Sequence, residues 1–251
     1  MENFKHIQLT EEESEAALRE ARKKKHYELE HIKWREKISQ PVQYPSLNWM
    51  QLKDLVIKKG DQLFGEFILD EHNSEIVHHL ALYFSNDSQF EAIYGANSLQ
   101  KGILLAGGIG RGKTALMSLF QENSFRSFAM VNCSKIADDY TEQGTAIMDK
   151  YSTLIQSSRP DLTFGQKFIG CCFDDLGTEE NKKHFGNQAN VMAELIVLRH
   201  ANAYQLRGQT HITTNLTTDD IEAMYGHRVR SRMREMFNVI AFGKESTDRR
   251  K

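Results

Sequence analysis

Proline, cysteine and long apolar runs are scarce in this chain of 251 residues, which has three prolines and three cysteines. No segment approaches the roughly 18 apolar residues of a membrane-spanning helix, and the first residues do not resemble a signal peptide. Cys133, Cys171 and Cys172 lack the spacing of metal ligands, so we interpret them as reduced thiols in strands. These absences favour a cytoplasmic protein that does not associate with membranes.

The charges of the chain nearly cancel, because 32 lysines and arginines stand against 34 aspartates and glutamates. The net charge of -2 therefore carries no global signal of nucleic-acid binding, and any such contact must come from a local patch. Hydrophobic residues make up 40% of the sequence, which is enough for a sizeable core. The length favours one domain with an appendage, or two small domains.

Residues 10–38 predict a long helix that begins at a capping box formed by Thr10 and Glu13. The apolar stripe on this helix is thin. A solvated helix with paired charges is one interpretation, and a docking helix for a partner protein is another. A DNA-binding basic arm is a third, against which the interleaved acidic residues argue. Pro41 and Pro45 then mark a break in the chain. The anchors of a docking helix would be Tyr27, Ile32 and Trp34.

The segment 107–114 fits the pattern G-x-x-x-x-G-K-[ST] of a phosphate-binding loop. It follows a short apolar run at 102–106 and precedes a helix-forming segment at 115–120, which is the context that this motif needs. Lys113 would contact the β- and γ-phosphates of ATP, and Thr114 would ligate Mg²⁺. A glycine-rich turn with an incidental lysine is the alternative. The residues expected to hold the nucleotide are Gly107, Gly108, Ile109, Gly110, Arg111, Gly112, Lys113 and Thr114.

Polar side chains end two later apolar segments. Asp174 and Asp175 close a strand predicted at 167–175, where Asp174 would hold Mg²⁺ mostly through water and Asp175 would orient or deprotonate the attacking water. Asn215 ends a strand predicted at 210–215 and could hold the γ-phosphate or the same water. Ordinary turns at strand ends are the alternative for both places.

Four arginines, Arg228, Arg230, Arg232 and Arg234, alternate with other residues near the end of the chain. On a helix, Arg228 and Arg232 would share one face. An arginine finger from a neighbouring subunit stabilises the charge on transferring phosphoryl oxygens, and this is the function we expect here. A basic surface face is the alternative.

The pattern of segments predicts an α/β fold with a five-stranded parallel sheet flanked by helices, and ligands at the carboxyl ends of the strands. A long helical region is predicted at about 135–155 and another helix at 187–204. The predicted strands are 102–106, 128–133, 167–175, 210–215 and 238–242.

Five motifs, in this order and spacing, resemble the DnaC/IstB-like branch of the AAA+ ATPases over roughly residues 70–250. One departure is that many members of this branch have Asp-Glu where this chain has Asp174-Asp175. The shorter Asp175 would slow hydrolysis. The motifs lie at 101–105 with the phosphate loop, 173–179, 213–216, 225–233 and 242–246.

The resemblance implies an AAA+ P-loop core without a C-terminal lid domain, and a DnaC-type loader of a replicative helicase that uses ATP and Mg²⁺. Such a protein would bind the helicase through its N-terminal region, contact single-stranded DNA and self-associate through arginine fingers. By position, Arg228 is the first candidate for the finger, Arg232 is the next, and Arg249 is a candidate for the sensor-2 arginine. The corresponding domains are a helical partner-binding region with its linker at 1–45, a helical lead-in at 46–95 and the ATPase domain at 96–251.

Two other functions stay open. An IstB-type transposition helper, which acts on duplex DNA with a transposase, would share the whole ATPase core with a loader. Only the N-terminal 70 or so residues separate the two, and the mixed-charge helix at 10–38 favours the loader. A P-loop small-molecule kinase is the third hypothesis, against which Asn215 and the arginine helix argue.

Overall fold

The computed structural model describes residues 8, 10–39, 44–93, 97–179, 182–184 and 187–243, without the side chains of 34–39, 182–184 and 187–189. The chain divides into two units, Met1–Gln43 and Tyr44–Lys251. Within the described ranges, none of the helices combines the length and apolar character that crossing a bilayer requires. The division into a lead-in at 46–95 and an ATPase domain at 96–251 stays a prediction.

The described part of the first unit contains one helix, α1 (Glu11–Ser39). It begins where the sequence predicts, because Thr10 N donates to Glu13 Oε2 at 2.9 Å and Glu13 N donates to Thr10 Oγ1 at 3.3 Å. Tyr27 and Ile32 are both half exposed or more within this unit. The side chain of Trp34, the third predicted anchor, lies outside the described residues.

Among the residues described, three helices precede the sheet of the second unit: α2 (Trp49–Phe64), α3 (Ser74–Phe84) and α4 (Gln89–Ala92). Helix α2 begins at a capping box in which Asn48 and Gln51 exchange hydrogen bonds between side chain and backbone. Its buried residues Leu52 and Val56 join Ile103 and other residues of the sheet in one hydrophobic cluster. The second unit is therefore built on a core to which the lead-in segment contributes.

The main sheet has five parallel strands in the order β2-β4-β7-β1-β8. A short antiparallel strand, β3 (Ile155–Gln156), pairs with β4 and brings the total to six. Two further strands, β5 (Lys182–His184) and β6 (Asn187–Ala189), form a separate antiparallel pair. The parallel strands are β1 (Gly102–Ala106), β2 (Phe128–Asn132), β4 (Phe168–Leu176), β7 (Thr210–Thr214) and β8 (Phe237–Ala241).

Helices cover both faces of the sheet. Because side chains alternate along a strand, Leu104 of β1 joins one hydrophobic cluster, while Ile103 and Leu105 join the other. The predicted fold class, an α/β P-loop core with a parallel sheet flanked by helices, is confirmed. The helices that connect or follow the strands are α5 (Lys113–Leu119), α6 (Cys133–Gln143), α7 (Thr145–Tyr151), α8 (Val191–Ala201), α9 (Thr218–Tyr225) and α10 (His227–Met236).

Several local predictions were wrong, each for a local reason. The sheet has six strands rather than five, because β3 forms an antiparallel pair with the first two residues of β4, Phe168 and Ile169. The helical region predicted at 135–155 is divided at Gly144, whose φ of 58° and ψ of -135° end α6.

Two predicted element boundaries were also displaced by caps. Residues 187–189 form β6, and α8 begins only after Asn190, whose side chain accepts from Ala193 N at 3.0 Å. Cys133 begins α6 instead of ending a strand, because Asn132 accepts from Lys135 N at 3.2 Å. Cys171 and Cys172 lie in β4 as predicted, and all three thiols are free and buried.

Candidate functional site

The carboxyl ends of β1, β4 and β7 lie side by side. Ala106, the last residue of β1, stands opposite Thr214 of β7, and Leu176 of β4 stands opposite the same threonine. The loop 107–112 leaves β1 at this edge and leads into α5. The topology therefore brings the phosphate-loop motif, the two aspartates and Asn215 to one edge of the sheet.

The loop reaches α5 through a left-handed residue, Gly112, with φ of 82° and ψ of 20°. Residues with a Cβ rarely adopt this conformation, which explains the glycine directly before the lysine of the motif. Helix α5 then starts at Lys113, with Thr114 exposed on its first turn. Ile109 and Gly108, in the middle of the loop, are exposed as well.

Lys113 lies inside this loop and is only 5% exposed. Its Nζ donates to the carbonyl oxygens of Gly107 at 2.8 Å and Gly108 at 2.9 Å, and also to Asn215 Oδ1. The ammonium group is therefore held at the carboxyl edge of the sheet by groups that a phosphate oxygen could replace. The contact also joins the end of β7 directly to the phosphate loop.

Asp174 accepts hydrogen bonds from two hydroxyl groups. Thr114 Oγ1 donates to Asp174 Oδ1 at 2.9 Å, and Thr213 Oγ1 donates to the same oxygen at 2.7 Å. Burial raises the pKa of Asp174 above its usual range, and the hydrogen bonds from the two threonines offset part of this effect. Asp174 thus lies against the threonine of the loop motif, as a shared metal site would require.

Thr213 belongs to this site, although the sequence analysis assigned it no role. Besides donating to Asp174, its Oγ1 accepts from Asp175 N at 2.8 Å, so it fixes both aspartates to β7. The only sequence signal was its place one residue before Thr214 and two before Asn215 at the end of a strand. Its partners depend on the register between β4 and β7, which a single sequence does not reveal.

The donor set at Asp174 fits Mg²⁺. A carboxylate oxygen and a hydroxyl oxygen, from Asp174 and Thr114, are hard ligands of the type that this ion prefers. Among the residues that the structure describes, no group of three or more His, Cys, Asp or Glu side chains is placed to hold a metal ion. Phosphate oxygens and water would therefore have to complete the coordination, which is common for Mg²⁺.

Asp175 differs from its neighbour in both backbone and exposure. Its φ is 55°, in the left-handed region that aspartate adopts only rarely, and it lies at an irregularity in the pairing between Phe173 and Leu176. Asp174 is buried, whereas Asp175 is partly exposed. The two adjacent carboxylates therefore lie in different environments.

The arginines of α10 are not brought to the phosphate loop of their own chain. Arg230 pairs with Glu222 of α9, and Arg232 Nη1 donates to Arg228 O at 3.4 Å. Arg228 is exposed, and in the described part of the chain no hydrogen bond or ion pair links these arginines to 107–114. Arg249 lies outside the described residues.

Comparison with known proteins finds no matching family model and no matching curated protein. Among solved structures, the fold is similar to the DnaC helicase loader, with 18% identity over 71% of this chain and 94% of that chain and a TM-score of 0.44. It is also similar to DnaI, with 18% identity over 72% and 90% of the two chains and a TM-score of 0.44. A third is domain III of the Thermotoga maritima replication initiation protein DnaA, with 15% identity over 73% and 67% and a TM-score of 0.43.

These structures include a helicase loader of the type that the sequence motifs resemble. At such identities and TM-scores the likeness concerns the fold alone.

Proposed function

We propose that this chain is an ATPase of DNA replication that binds Mg²⁺ and ATP at the carboxyl ends of β1, β4 and β7. In this proposal it loads or remodels a replicative helicase on single-stranded DNA. The convergence of Lys113, Thr114, Asp174 and Asn215 at the end of a glycine-rich loop is the observation that carries the nucleotide site. Three separate segments supply the groups that triphosphate chemistry requires at one place.

Different groups of the loop make different contacts with the bound nucleotide. Backbone N–H groups of 107–112 surround phosphate oxygens, and Lys113 exchanges its carbonyl partners for the β- and γ-phosphates. Thr114 and Asp174 would hold Mg²⁺, which would neutralise charge on the phosphates. Asp175 orients or deprotonates the attacking water, and Asn215 holds the γ-phosphate or that water.

Self-association completes the site. Arg228 is exposed and lies near the start of α10, so we assign it as the finger that reaches the site of a neighbouring copy, with Arg232 as the second candidate. Arg228→Ala should leave ATP affinity unchanged and remove the hydrolysis that depends on assembly or DNA. Hydrolysis rates that are equal in Arg228→Ala and wild type at all protein concentrations would exclude Arg228 as the finger.

Hydrolysis itself is tested by phosphate release in Mg²⁺ and ATP, with and without single-stranded DNA. Asp175→Asn should lower kcat at least about 100-fold with ATP binding intact, because the group that activates water is lost. Asp149→Asn, which changes an exposed aspartate on α7, is the matched control and should behave as wild type. Full activity in Asp175→Asn would contradict the assignment, and an absolute need for a phosphate acceptor would favour a kinase.

We assign the binding surface for the replicative helicase to α1, which exposes Tyr27 and Ile32 to solvent within its own unit. Large exposed side chains on a well-formed helix favour docking to another protein. The test is size-exclusion chromatography with light scattering of the full chain and its replicative helicase. Co-elution should be lost in a Tyr27→Ala, Ile32→Ala double variant and kept in Tyr204→Ala, which truncates an exposed tyrosine of the second unit.

Failure of the wild-type chain to bind the helicase would overturn the loader assignment. If the chain instead forms ATP-dependent filaments on duplex DNA, the transposition-helper function replaces it. The ATPase assignment is tested separately, because phosphate release does not require the helicase.

A further inference from the structure

A buried carboxylate lies just beyond the two aspartates of β4. Glu179 is 6% exposed, and its Oε2 accepts from Gly177 N at 2.9 Å while its Oε1 accepts from the hydroxyl of Tyr225. Both donors are neutral groups. Burial, together with the adjacent Glu179 charge, raises the pKa of Tyr225, so its phenol keeps the proton that it donates. A buried carboxylate with so few donors depends strongly on each of them.

On one side, Glu179 belongs to the turn that positions Asp175. Thr178 Oγ1 donates to Asp175 O at 2.8 Å and closes this turn. Gly177 has a φ of 104°, and a Cβ there would stand 2.6 Å from Leu216 Cδ1, so the turn packs tightly against the segment after β7. A shift of the Asp175 turn would therefore move Glu179 with it.

On the other side, Tyr225 lies next to the start of α10. It is the last residue of α9 and is 7% exposed, and only Gly226 separates it from the arginine helix. At its other end, α9 starts shortly after Asn215, at a cap in which Thr217 accepts from Asp220 N at 3.2 Å. Helix α9 is thus attached to the phosphate site at both ends, through Asn215 and through the Glu179–Tyr225 hydrogen bond.

We propose that Glu179 and Tyr225 are positioning residues that couple occupancy of the phosphate site to the placement of the arginine helix α10. The coupling rests on the proposed nucleotide site. Bound phosphates shift the Asp175 turn and Asn215. Because the Glu179–Tyr225 hydrogen bond attaches the far end of α9 to that turn, α9 then moves as a rigid body and displaces Arg228 at the start of α10. Without the contact, nucleotide still binds, but α10 no longer responds to it.

Amide hydrogen exchange of the full chain, with and without Mg²⁺ and a slowly hydrolysed ATP analogue, tests this coupling without requiring hydrolysis. In wild type, the nucleotide should slow exchange about tenfold at the phosphate loop and also across α9 and α10. In Tyr225→Phe, the slowing at the loop should remain and the slowing across α10 should disappear. Tyr151→Phe, which removes another buried tyrosine hydroxyl from the same hydrophobic cluster, should behave as wild type.

Steady-state kinetics supplies a readout that a loss of stability alone would not move. Tyr225→Phe should lower kcat about tenfold at protein concentrations where the chain self-associates, with KM for ATP unchanged. Glu179→Gln should have a similar effect, since an amide replaces the charge-assisted hydrogen bonds that the carboxylate accepts from Gly177 and Tyr225 with weaker neutral ones. The double variant should be no slower than either single variant, as expected for two residues of one contact.

The outcomes separate this proposal from the nucleotide site on which it rests. A wild-type chain that binds no ATP would overturn both. Nucleotide binding without a change at α10 in wild type, or with the same change in Tyr225→Phe, would overturn the coupling and leave the ATPase standing. If Tyr225→Phe does not fold, Glu179→Gln is compared with wild type by the same exchange measurement, and an unchanged response at α10 would overturn the coupling.

Discussion

Two buried polar networks lie at opposite ends of the parallel sheet, and they hold their charges differently. At the amino ends of the strands, Arg199 is 0% exposed and its guanidinium donates chiefly to main-chain oxygens. At the carboxyl ends, Lys113 and Asp174 contact hydroxyl and amide side chains as well as a glycine loop. The partners of Arg199 are Tyr151 O at 2.6 Å, Thr153 O at 3.0 Å, Gln209 O at 3.1 Å and Thr210 Oγ1 at 2.8 Å.

A second arginine at the amino end repeats the arrangement. Arg126 is buried, donates to Leu99 O at 2.7 Å and to Asn86, and lies 4.5 Å from the centre of the Tyr83 ring. Main-chain carbonyls of packed segments cannot leave without local unfolding. Threonine hydroxyls, an asparagine amide and loop carbonyls can instead exchange one hydrogen bond for another. The comparison indicates that the amino-end network stabilises the fold and that the carboxyl-end network exchanges ligands.

The largest effect is expected from breaking the amino-end network. Arg199→Met should lower the free energy of unfolding by about 3–5 kcal/mol, because it leaves several buried carbonyls without a donor. ATP affinity of the folded fraction should be unchanged. Urea unfolding measures the first quantity and titration calorimetry the second. Arg207→Met, at an exposed arginine, is the control, and equal stability of the two variants would contradict the structural assignment of Arg199.

The next effect has opposite signs for stability and for binding. Asp174→Asn should weaken Mg²⁺-dependent ATP affinity about 100-fold, or about 2.7 kcal/mol, while raising the stability of the nucleotide-free protein by about 0.5–2 kcal/mol. The folded-state pKa of Asp174 is raised, so its ionised form opposes folding above that pKa. The gain in stability should therefore shrink as the pH falls through the raised pKa toward about 3.9, the usual value for aspartate.

Thermal unfolding of wild type and Asp174→Asn across this pH range, without nucleotide, checks the sign. A variant that is less stable than wild type at neutral pH would show that the buried carboxylate stabilises the fold. In that case the carboxyl-end network would resemble the amino-end one, and the contrast between them would fail.

The smallest effect concerns His211, which lies beside the amino-end arginines. Its Nδ1 accepts from Ile103 N at 3.1 Å, and burial, with the charges of Arg126 and Arg199, holds its pKa well below the usual value. Stability from the neutral ring is present above about pH 6.5 and is lost as the pH falls below it, by at most about 1.4 kcal/mol per pH unit. His211→Asn keeps an acceptor and should show a shallower loss of stability between about pH 6.5 and 5.5. If stability falls equally steeply with pH in wild type and in His211→Asn, a group other than His211 causes the loss.

The sequence predicted the carboxyl-end site much better than the amino-end network. Lys113, Thr114 and Asn215 follow recognisable strands and Asp174 lies near the end of one, and parallel strands bring their ends together whatever the details of packing. Thr213 depends on the register between β4 and β7, and the Glu179–Tyr225 contact depends on where α9 ends. Neither distance along the chain nor residue type reveals such pairings.

The amino-end network could not be predicted for the same reason. Arg199 lies on a helix that the sequence shows only as amphipathic, and its acceptors are carbonyls of two other segments. Every residue has a carbonyl, so the partners of a buried arginine have no sequence signature. The wrong helix boundaries have a different cause. Single residues, the cap at Asn190 and the break at Gly144, determine where these helices begin and end, although the wider hydrophobic pattern continues through them.

The most direct test of the central claim is a titration of the chain with a fluorescent ATP analogue in Mg²⁺, comparing wild type with Lys113→Ala. Wild type should show saturable binding and Lys113→Ala at least about a 100-fold weaker affinity, with the free energies of unfolding of the two proteins within about 1 kcal/mol of each other. Lys135→Ala, at an exposed lysine, should bind as wild type does. Equal binding by Lys113→Ala and wild type, or none by wild type, would contradict the claim that the carboxyl-end network is a nucleotide site.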